Sequence, residues 1–316
     1  MFNEIKKVQI GETISNQHPN DEIDLLELFS VIWKGKWIII IITAFFAAGS
    51  VAYAIKQPNI YKSTTLLAPV DSDQSNSRLA ALTGQFSGLA SGINLCSGSS
   101  DKTQVGIEVL KSLQFTSEFV QKHQILPELL AVEHWDLSTN RLKFNKKLYD
   151  AKTKKWVRKV TAPFEPEPSM LEAYEEFKRI VNIQTDKENG MILLSVEHKS
   201  PFIAKAWTEL LIQDINTIMK ERDVAEANKS IEFLRAQIQQ TNIADIRTIL
   251  FKLIEEQAKI IMFAKVRDEY IFKTIDPAFI PEVKTRPKRA LICVLGTLLG
   301  AMLATMLVLI RHFCKQ

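Results

Sequence analysis

The sequence predicts an α+β domain carried between two transmembrane helices. Three observations lead there. Two uncharged apolar runs, Trp37 to Ile55 and Ala290 to Ile310, lie near the ends of a 316-residue chain. The polar stretch between them reads as strand, helix, then hairpin, which predicts a small mixed sheet beside helices. Within that stretch, Phe202 to Asp276 contains neither glycine nor proline, which predicts a long extended helical hairpin.

Each apolar run is about 20 residues long, and at about 1.5 Å rise per residue such a helix crosses a hydrocarbon core of about 30 Å. A helix also satisfies its own backbone hydrogen bonds, as lipid requires. The first run starts too far from Met1 for a secretory signal, and Lys56, Gln57 and Pro58 follow it in place of a small-residue cleavage site. Trp33 and Trp37 at one end, with Tyr53 and Tyr61 near the other, fit the aromatic belts of a bilayer boundary. Two spans put both termini on one side and the central domain on the other. Lys34, Lys36, Arg311 and Lys315 flank the spans on the terminal side, against Lys56, Lys62, Lys284, Arg286, Lys288 and Arg289 on the loop side. For a long loop this balance does not set orientation. In the second span Gly296 and Gly300 form a GxxxG, with Ala301 and Ala304 nearby. Small residues one turn apart let helix backbones approach closely, so this pair is the candidate for transmembrane packing.

Forty basic and 36 acidic residues nearly cancel, and no basic tract of the kind that tracks nucleic acid is present. Cys293 lies in the second span and Cys314 just after it, leaving Cys96 alone in the central region. One thiol forms no intrachain disulfide, so that domain must hold itself together by core burial or assembly.

Residues 1 to about 20 read as a polar tail. Ile23, Leu26, Phe29 and Trp33 follow at helical spacing behind an Asp21 cap, an amphipathic lead-in to the first span. Ile60 to Pro69 is β-branched and aromatic, hence a strand. Residues 71–101 turn to Ser, Gly, Asn and Ala; the glycines at 84, 88 and 92 lack a following Gly-Lys-Ser/Thr, so the stretch reads as a surface loop and not as a phosphate cradle. Val105, Val109, Leu113 and Val120 predict one helix over 103–126, ending before Pro127. Turn residues and aromatics from Trp135 to Val160 predict a hairpin excursion. Ser169 with Glu172 three residues on is a capping box, and Asn189-Gly190 between alternating apolar arms marks a hairpin.

As one helix, residues 202–276 would extend about 110 Å, yet the chain must finish at the second span. A reversal near Thr241 to Asp245 follows, with Asn242 as cap and Asp245 in the next first turn. Trp207, Leu211, Ile215 and Ile218 stripe the outgoing arm; Ile246, Leu250, Leu253, Gln257, Ile260 and Ala264 stripe the returning one. Stripes this wide call for cover by neighbouring copies.

No reaction chemistry is legible. The five histidines, His18, His123, His134, His198 and His312, are scattered, without a metal-binding spacing. No nucleophile elbow or kinase motif set occurs, and Glu175-Glu176 and Glu255-Glu256 read as solvated helix faces. The sequence therefore predicts no catalytic residue, no metal and no cofactor.

Several segments together resemble the chain-length determinant (Wzz) family, the polysaccharide co-polymerases of O-antigen type: DEIDLLELF at 21–29 before Trp-Lys-Gly-Lys-Trp, GQFSGLASGINL at 84–95, VEHKSPFIAKAW at 196–207, LIEEQ at 253–257, and above all RDEYIFKTIDPAFIPEVKTRPKRALI at 267–292. The resemblance implies an inner-membrane protein of a Gram-negative bacterium, with residues 56–201 a periplasmic base and 202–276 a helical projection returning to it. It also implies cytoplasmic segments at 1–36 and 311–316, spans at 37–55 and 290–310, and a homo-oligomer. Its partners would be a Wzy-type polymerase and a lipid-linked glycan whose modal length it sets, without catalysis of its own. The proline-rich connector at 277–289, with Pro277, Pro281, Pro287 and Lys288, becomes the candidate for coupling to the polymerase; prolines cannot continue the helix and stiffen an extended segment. Arg286 stands where the family often has Ser in Ser-Pro-Lys, so nothing attributed to that serine carries over. No kinase domain or tyrosine-rich tail links the chain to the kinase-paired branches. The rival reading is a periplasmic adaptor subunit of an export or efflux system, for which paired β segments on both sides of the hairpin and a single span would be expected. A sensor would need a signalling module after Ile310.

Overall fold

The computed structural model describes residues 33, 35–70 and 99–314. In chain order the elements are α1 (Lys36–Lys56), β1 (Tyr61–Pro69), α2 (Ser99–Leu110), α3 (Leu113–His123), α4 (Leu126–Leu130), β2 (Val132–Asp136), β3 (Arg141–Phe144), β4 (Tyr149–Asp150) and β5 (Lys155–Trp156). These are followed by α5 (Met170–Ile180), β6 (Val181–Thr185), β7 (Ile192–His198), α6 (Pro201–Gln240), α7 (Ala244–Val266), β8 (Phe272–Asp276) and α8 (Arg289–Phe313). They fall into two compact units: the terminal helices α1 and α8, and residues 57–287.

The terminal unit is an α1–α8 pair whose outer surface is apolar, Phe45, Val294 and Met302 among its most exposed side chains. Both helices are long and apolar enough to cross a membrane.

The second unit is α+β. Its sheet has the order β6-β7-β1-β8. Every ladder in it is antiparallel, which corrects the expectation of a mixed sheet: neighbouring strands are joined by a hairpin or by helical excursions that bring the chain back in the opposite sense. In β1 Ser63, Thr65 and Leu67 alternate inward, as the period of two requires. They meet the first half of α6, where Trp207, Leu211 and Ile215 are buried, and Phe115, Phe119, Phe177 and Phe272 complete the same core. The β6–β7 hairpin forms, but over the six residues 186–191, with Gly190 at φ +69°, a value that suits glycine.

Several boundaries differ from the sequence reading. Residues 103–126 do not form one helix: the chain breaks at Lys111–Ser112, Ser112 caps α3 by accepting from the Phe115 N–H at 3.1 Å, and Pro127 sits in the first turn of α4, where its missing N–H costs nothing. The excursion after Trp135 is two short hairpins, β2–β3 and β4–β5. By contrast Ser169 and Glu172 form the capping box in full, and Arg158 grips the same Glu172 through two nitrogens at 2.5 and 2.8 Å.

The long segment reverses after Gln240, but Ile243 occupies the N-cap of α7, not Asn242, and no side chain caps it. The helical projection also ends early. Residues 272–276 are strand β8, paired along Leu66–Pro69 of β1. The Ile271–Ile275 run is as apolar and β-branched as a strand, and the free edge of β1 captures it.

His198, at the end of β7, is 7% exposed. Its Nδ1 accepts from the Ser200 N–H at 3.0 Å and its Nε2 lies 3.1 Å from the Glu128 carbonyl, which fixes a neutral ring with Nε2 protonated. Burial, aided by the Lys199 charge and opposed by the Glu128 carbonyl, pushes its pKa from 6.5 down to about 4. A depressed histidine pKa means that the unfolded chain binds the proton first as pH falls. The associated stability is complete above pH 6.5 and is lost on the way down to pH 4, about 3 kcal/mol across the window. Urea unfolding of the protein in detergent should show a lower midpoint at pH 4.5 than at pH 7, and His198→Gln should flatten that difference. A wild-type midpoint that stays level over this range would rule the explanation out.

Candidate functional site: the docked connector and the paired helices

The connector after β8 is held against the sheet. Two buried hydroxyls on β1 hold its start: Thr65 Oγ1 donates to the carbonyl of Asp276, the last residue of β8, at 2.7 Å and Ser63 Oγ to the Phe279 carbonyl at 2.8 Å. Nearer the second span, the Ile60 N–H donates to the Arg286 carbonyl at 2.9 Å and the Thr285 N–H to the Ile60 carbonyl at 2.8 Å. Arg286 also faces Glu197 at 3.3 Å. Prolines suit this segment because it lies between β8 and α8, outside any helix that their missing N–H would interrupt. The four sequence candidates are not equivalent: Pro281 is buried, Pro287 half-buried, and Pro277 and Lys288 exposed. The Lys288 carbonyl accepts from the Ile292 N–H at 3.2 Å in the first turn of α8.

Upstream, the return of the chain to the sheet is fixed by Asn216 on α6. Its Oδ1 receives the N–H groups of Tyr270, Ile271 and Phe272 at 3.1, 2.8 and 3.0 Å, and its Nδ2 donates to the Phe272 carbonyl at 3.0 Å. The Tyr270 hydroxyl donates to Asp223 at 2.7 Å, and Lys102 meets the same carboxylate at 2.6 Å. Burial, then Asp223, raises the Tyr270 pKa and keeps the hydroxyl a donor. Asp214, buried on the same helix, meets Lys122 and His123 at 2.7 Å each.

In the terminal unit, α1 and α8 run antiparallel in close contact. A Cβ added at Gly296 would lie 2.4 Å from Ser50 Cβ, at Gly300 2.6 Å from Phe46 Cβ, and at Gly35 2.5 Å from a Val308 methyl. Ala304 is fully buried on the same seam. The four-residue steps 296, 300, 304 and 308 form one face, as small-residue packing of membrane helices demands.

The sequence pointed to Gly296 and Gly300 but passed over Gly35, Asn216, Ser63 and Thr65. Asn216 had a readable signal, since it is a polar residue on the inward face of the Trp207–Ile215 stripe. The hydroxyls had none, because their partners lie more than 200 residues away. The glycine-rich 84–95 segment, Cys96 and the Asp21 lead-in lie outside the described residues. Among the described residues no group of His, Cys, Asp and Glu is placed to hold a metal ion.

An α+β domain with a long helical hairpin, joined at both ends to apolar helices, is the class of protein that the fold defines. Residues 21–123 match the family model described as chain length determinant protein, Wzz, and residues 254–313 match that described as a G-rich domain on putative tyrosine kinases. The Wzz match over residues 21–123 agrees with the resemblance read from the sequence. Among solved structures, a full-length bacterial polysaccharide co-polymerase is similar at 14% identity, over 92% of this chain and 98% of that one, with a TM-score of 0.40. A fragment of the WzzB polysaccharide co-polymerase from Salmonella Typhimurium is similar at 9% identity, over 72% of this chain and 100% of that one, with a TM-score of 0.30. No curated protein matches the chain.

Replacing Gly296 and Gly300 together should separate α1 from α8. Even alanine brings atoms under 3 Å at both positions, and overpacking of this kind costs about 1–3 kcal/mol. The Gly296→Ala/Gly300→Ala protein should still float with membranes but melt earlier in detergent, and the double leucine variant earlier still. Equal melting of all three proteins would show that the seam is not tightly packed.

Proposed function

We propose that this protein sets the modal length of a glycan made by a Wzy-type polymerase on a lipid-linked carrier, with lipopolysaccharide O-antigen or a related Wzy-dependent polymer as the glycan. It acts as an oligomeric scaffold in the bacterial inner membrane, with residues 57–287 in the periplasm, and performs no bond chemistry itself. The observation that carries this reading is the chain-length-determinant match over residues 21–123.

The helical hairpin supports the oligomeric part. Leu250, Ile254, Gln257, Ile261 and Ala264 lie on one face of α7 and are among the less exposed positions along it. On one flank Ile246, Ile249, Leu253 and Phe263 remain exposed, and on the other Phe251, Met262 and Val266. Apolar surface on both flanks of a helix is costly in water and fits a ring in which each copy is covered by its neighbours. The docked connector, with Pro277, Pro281, Pro287 and Lys288, is the segment assigned to coupling with the polymerase.

Deleting the gene should leave polymer still made but with its modal distribution replaced by mostly short chains on a lipopolysaccharide gel, and the gene supplied in trans should restore the mode. Pro281→Ala should weaken the mode. Ile249→Lys with Leu253→Lys should lower the high-order species trapped by crosslinking in membranes and blur the mode with it. Complete loss of polymer on deletion would make the protein part of synthesis or export, and an unaltered ladder would remove the length-regulator reading.

A further inference from the structure

We propose that the cleft between the α3–α4 turn and the β4–β5 hairpin is a saccharide-binding site. The cleft has a volume of about 960 Å³, large enough for several pyranose rings and within the range of small-molecule sites. Its apolar lining includes Phe144, Tyr149 and Trp156, in contact with ring centroids 5.5 Å apart (tilted) and 5.1 Å apart (edge to face). Around them stand amides (Gln121, Gln124), carboxylates (Glu128, Glu165, Glu167) and amines (Lys154, Lys155).

This combination matches the chemistry of a sugar ring, which has an apolar C–H face and a rim of hydroxyls that both donate and accept. Aromatic surface receives the first; primary amides, carboxylates and ammonium groups together satisfy the second. Other ligands fit less well. Three carboxylates among the lining groups repel a polyanion such as nucleic acid. The two-residue strands β4 and β5 are too short to add a peptide strand, which needs a run of main-chain hydrogen bonds.

The walls are built to stay in place. Arg158 donates to the carbonyls of Glu165 and Pro166 at 2.8 Å each while holding Glu172 at the start of α5, so the segment bearing Glu165 and Glu167 is fastened to a helix. Gln124 and Lys154, both lining the cleft, hold left-handed backbone, at φ 54° and 53°, a conformation that non-glycine residues adopt at a cost and that concentrates at functional sites. Burial raises the pKa of Glu128; a carboxyl held part-way out of water is a group for which a hydroxyl is a favourable partner.

The inference deepens the length-regulator reading and rests on it for which glycan is bound. The test is titration of the full-length protein in detergent with oligosaccharides released from the lipopolysaccharide of the strain that carries the gene, followed by calorimetry. Wild-type protein should bind saturably. Trp156→Ala should bind about tenfold more weakly or worse, Trp156→Phe should keep most of the affinity, and Gln121→Ala, on an exposed helix position away from the hairpin, should weaken binding without altering the circular dichroism spectrum. No saturable binding by the wild-type protein, or binding by Trp156→Ala and Gln121→Ala as tight as that of the wild-type protein, overturns the site. The deletion ladder keeps the two readings apart. A lost mode together with a wild-type protein that binds no oligosaccharide removes the cleft and leaves the regulator, whereas an unaltered ladder with binding that depends on Trp156 leaves the cleft and removes the regulator.

Discussion

The contact on which the rest of the domain depends is the buried amide of Asn216. After more than 60 residues of helix the chain must rejoin the sheet at one place and in one register, and a non-directional apolar contact does not choose between registers. One carbonyl oxygen receiving three consecutive backbone N–H groups, with the amide nitrogen returning a bond to Phe272, does choose. Each of those backbone groups would otherwise be buried or half-buried without a partner, at a cost of about 1–3 kcal/mol apiece. The register of β8 on β1, and through it the position at which the connector begins, follows from that amide.

What lies downstream uses the same principle with smaller groups. The buried hydroxyls of Ser63 and Thr65 find their acceptors on the connector and on the last residue of β8, so β1 is covered along both halves of its outer edge, by a strand and then by a proline-bearing segment. An uncovered edge would be a template for pairing with another chain. Proline fits here because the groups that fasten the connector belong to Phe279, Thr285 and Arg286, and no bond is asked of a proline nitrogen. The terminal helices solve a different problem, since lipid gives no apolar driving force between them, and close approach at Gly35, Gly296 and Gly300 supplies dispersion contact in its place.

The parts of this fold that were legible in the sequence are those governed by local rules. The apolar runs, the Ser169 capping box and the β6–β7 hairpin depend on residues a few positions apart, and period and cap chemistry are sufficient to find them. The parts that were not legible depend on distant partners. The segment 267–276 was read as helix because it lacks glycine and proline, yet Tyr270, Ile271, Phe272, Thr274 and Ile275 are strand formers, and the edge of β1 together with Asn216 decides the matter. The sheet was expected to be mixed because strand count alone says nothing of direction. The break at Ser112 was missed because the apolar period continues across it, and Ile243 stands at the α7 cap where the reversal geometry, rather than side-chain chemistry, sets the boundary. Of the candidate site residues, the glycines and prolines could be named from the sequence, but which proline is buried and what holds the connector could not.

The central claim is that Asn216 fixes the return of the chain to the sheet. Amide hydrogen exchange at Ile271 and Phe272 tests it most directly, comparing the wild-type protein with Asn216→Ala. The account predicts that both amides exchange as slowly as the β1–β7 ladder in the wild-type protein, and that the substitution speeds them while Leu194 and Val196 stay protected. Unchanged protection of Ile271 and Phe272 in Asn216→Ala, or an equal loss across the whole sheet, would contradict it.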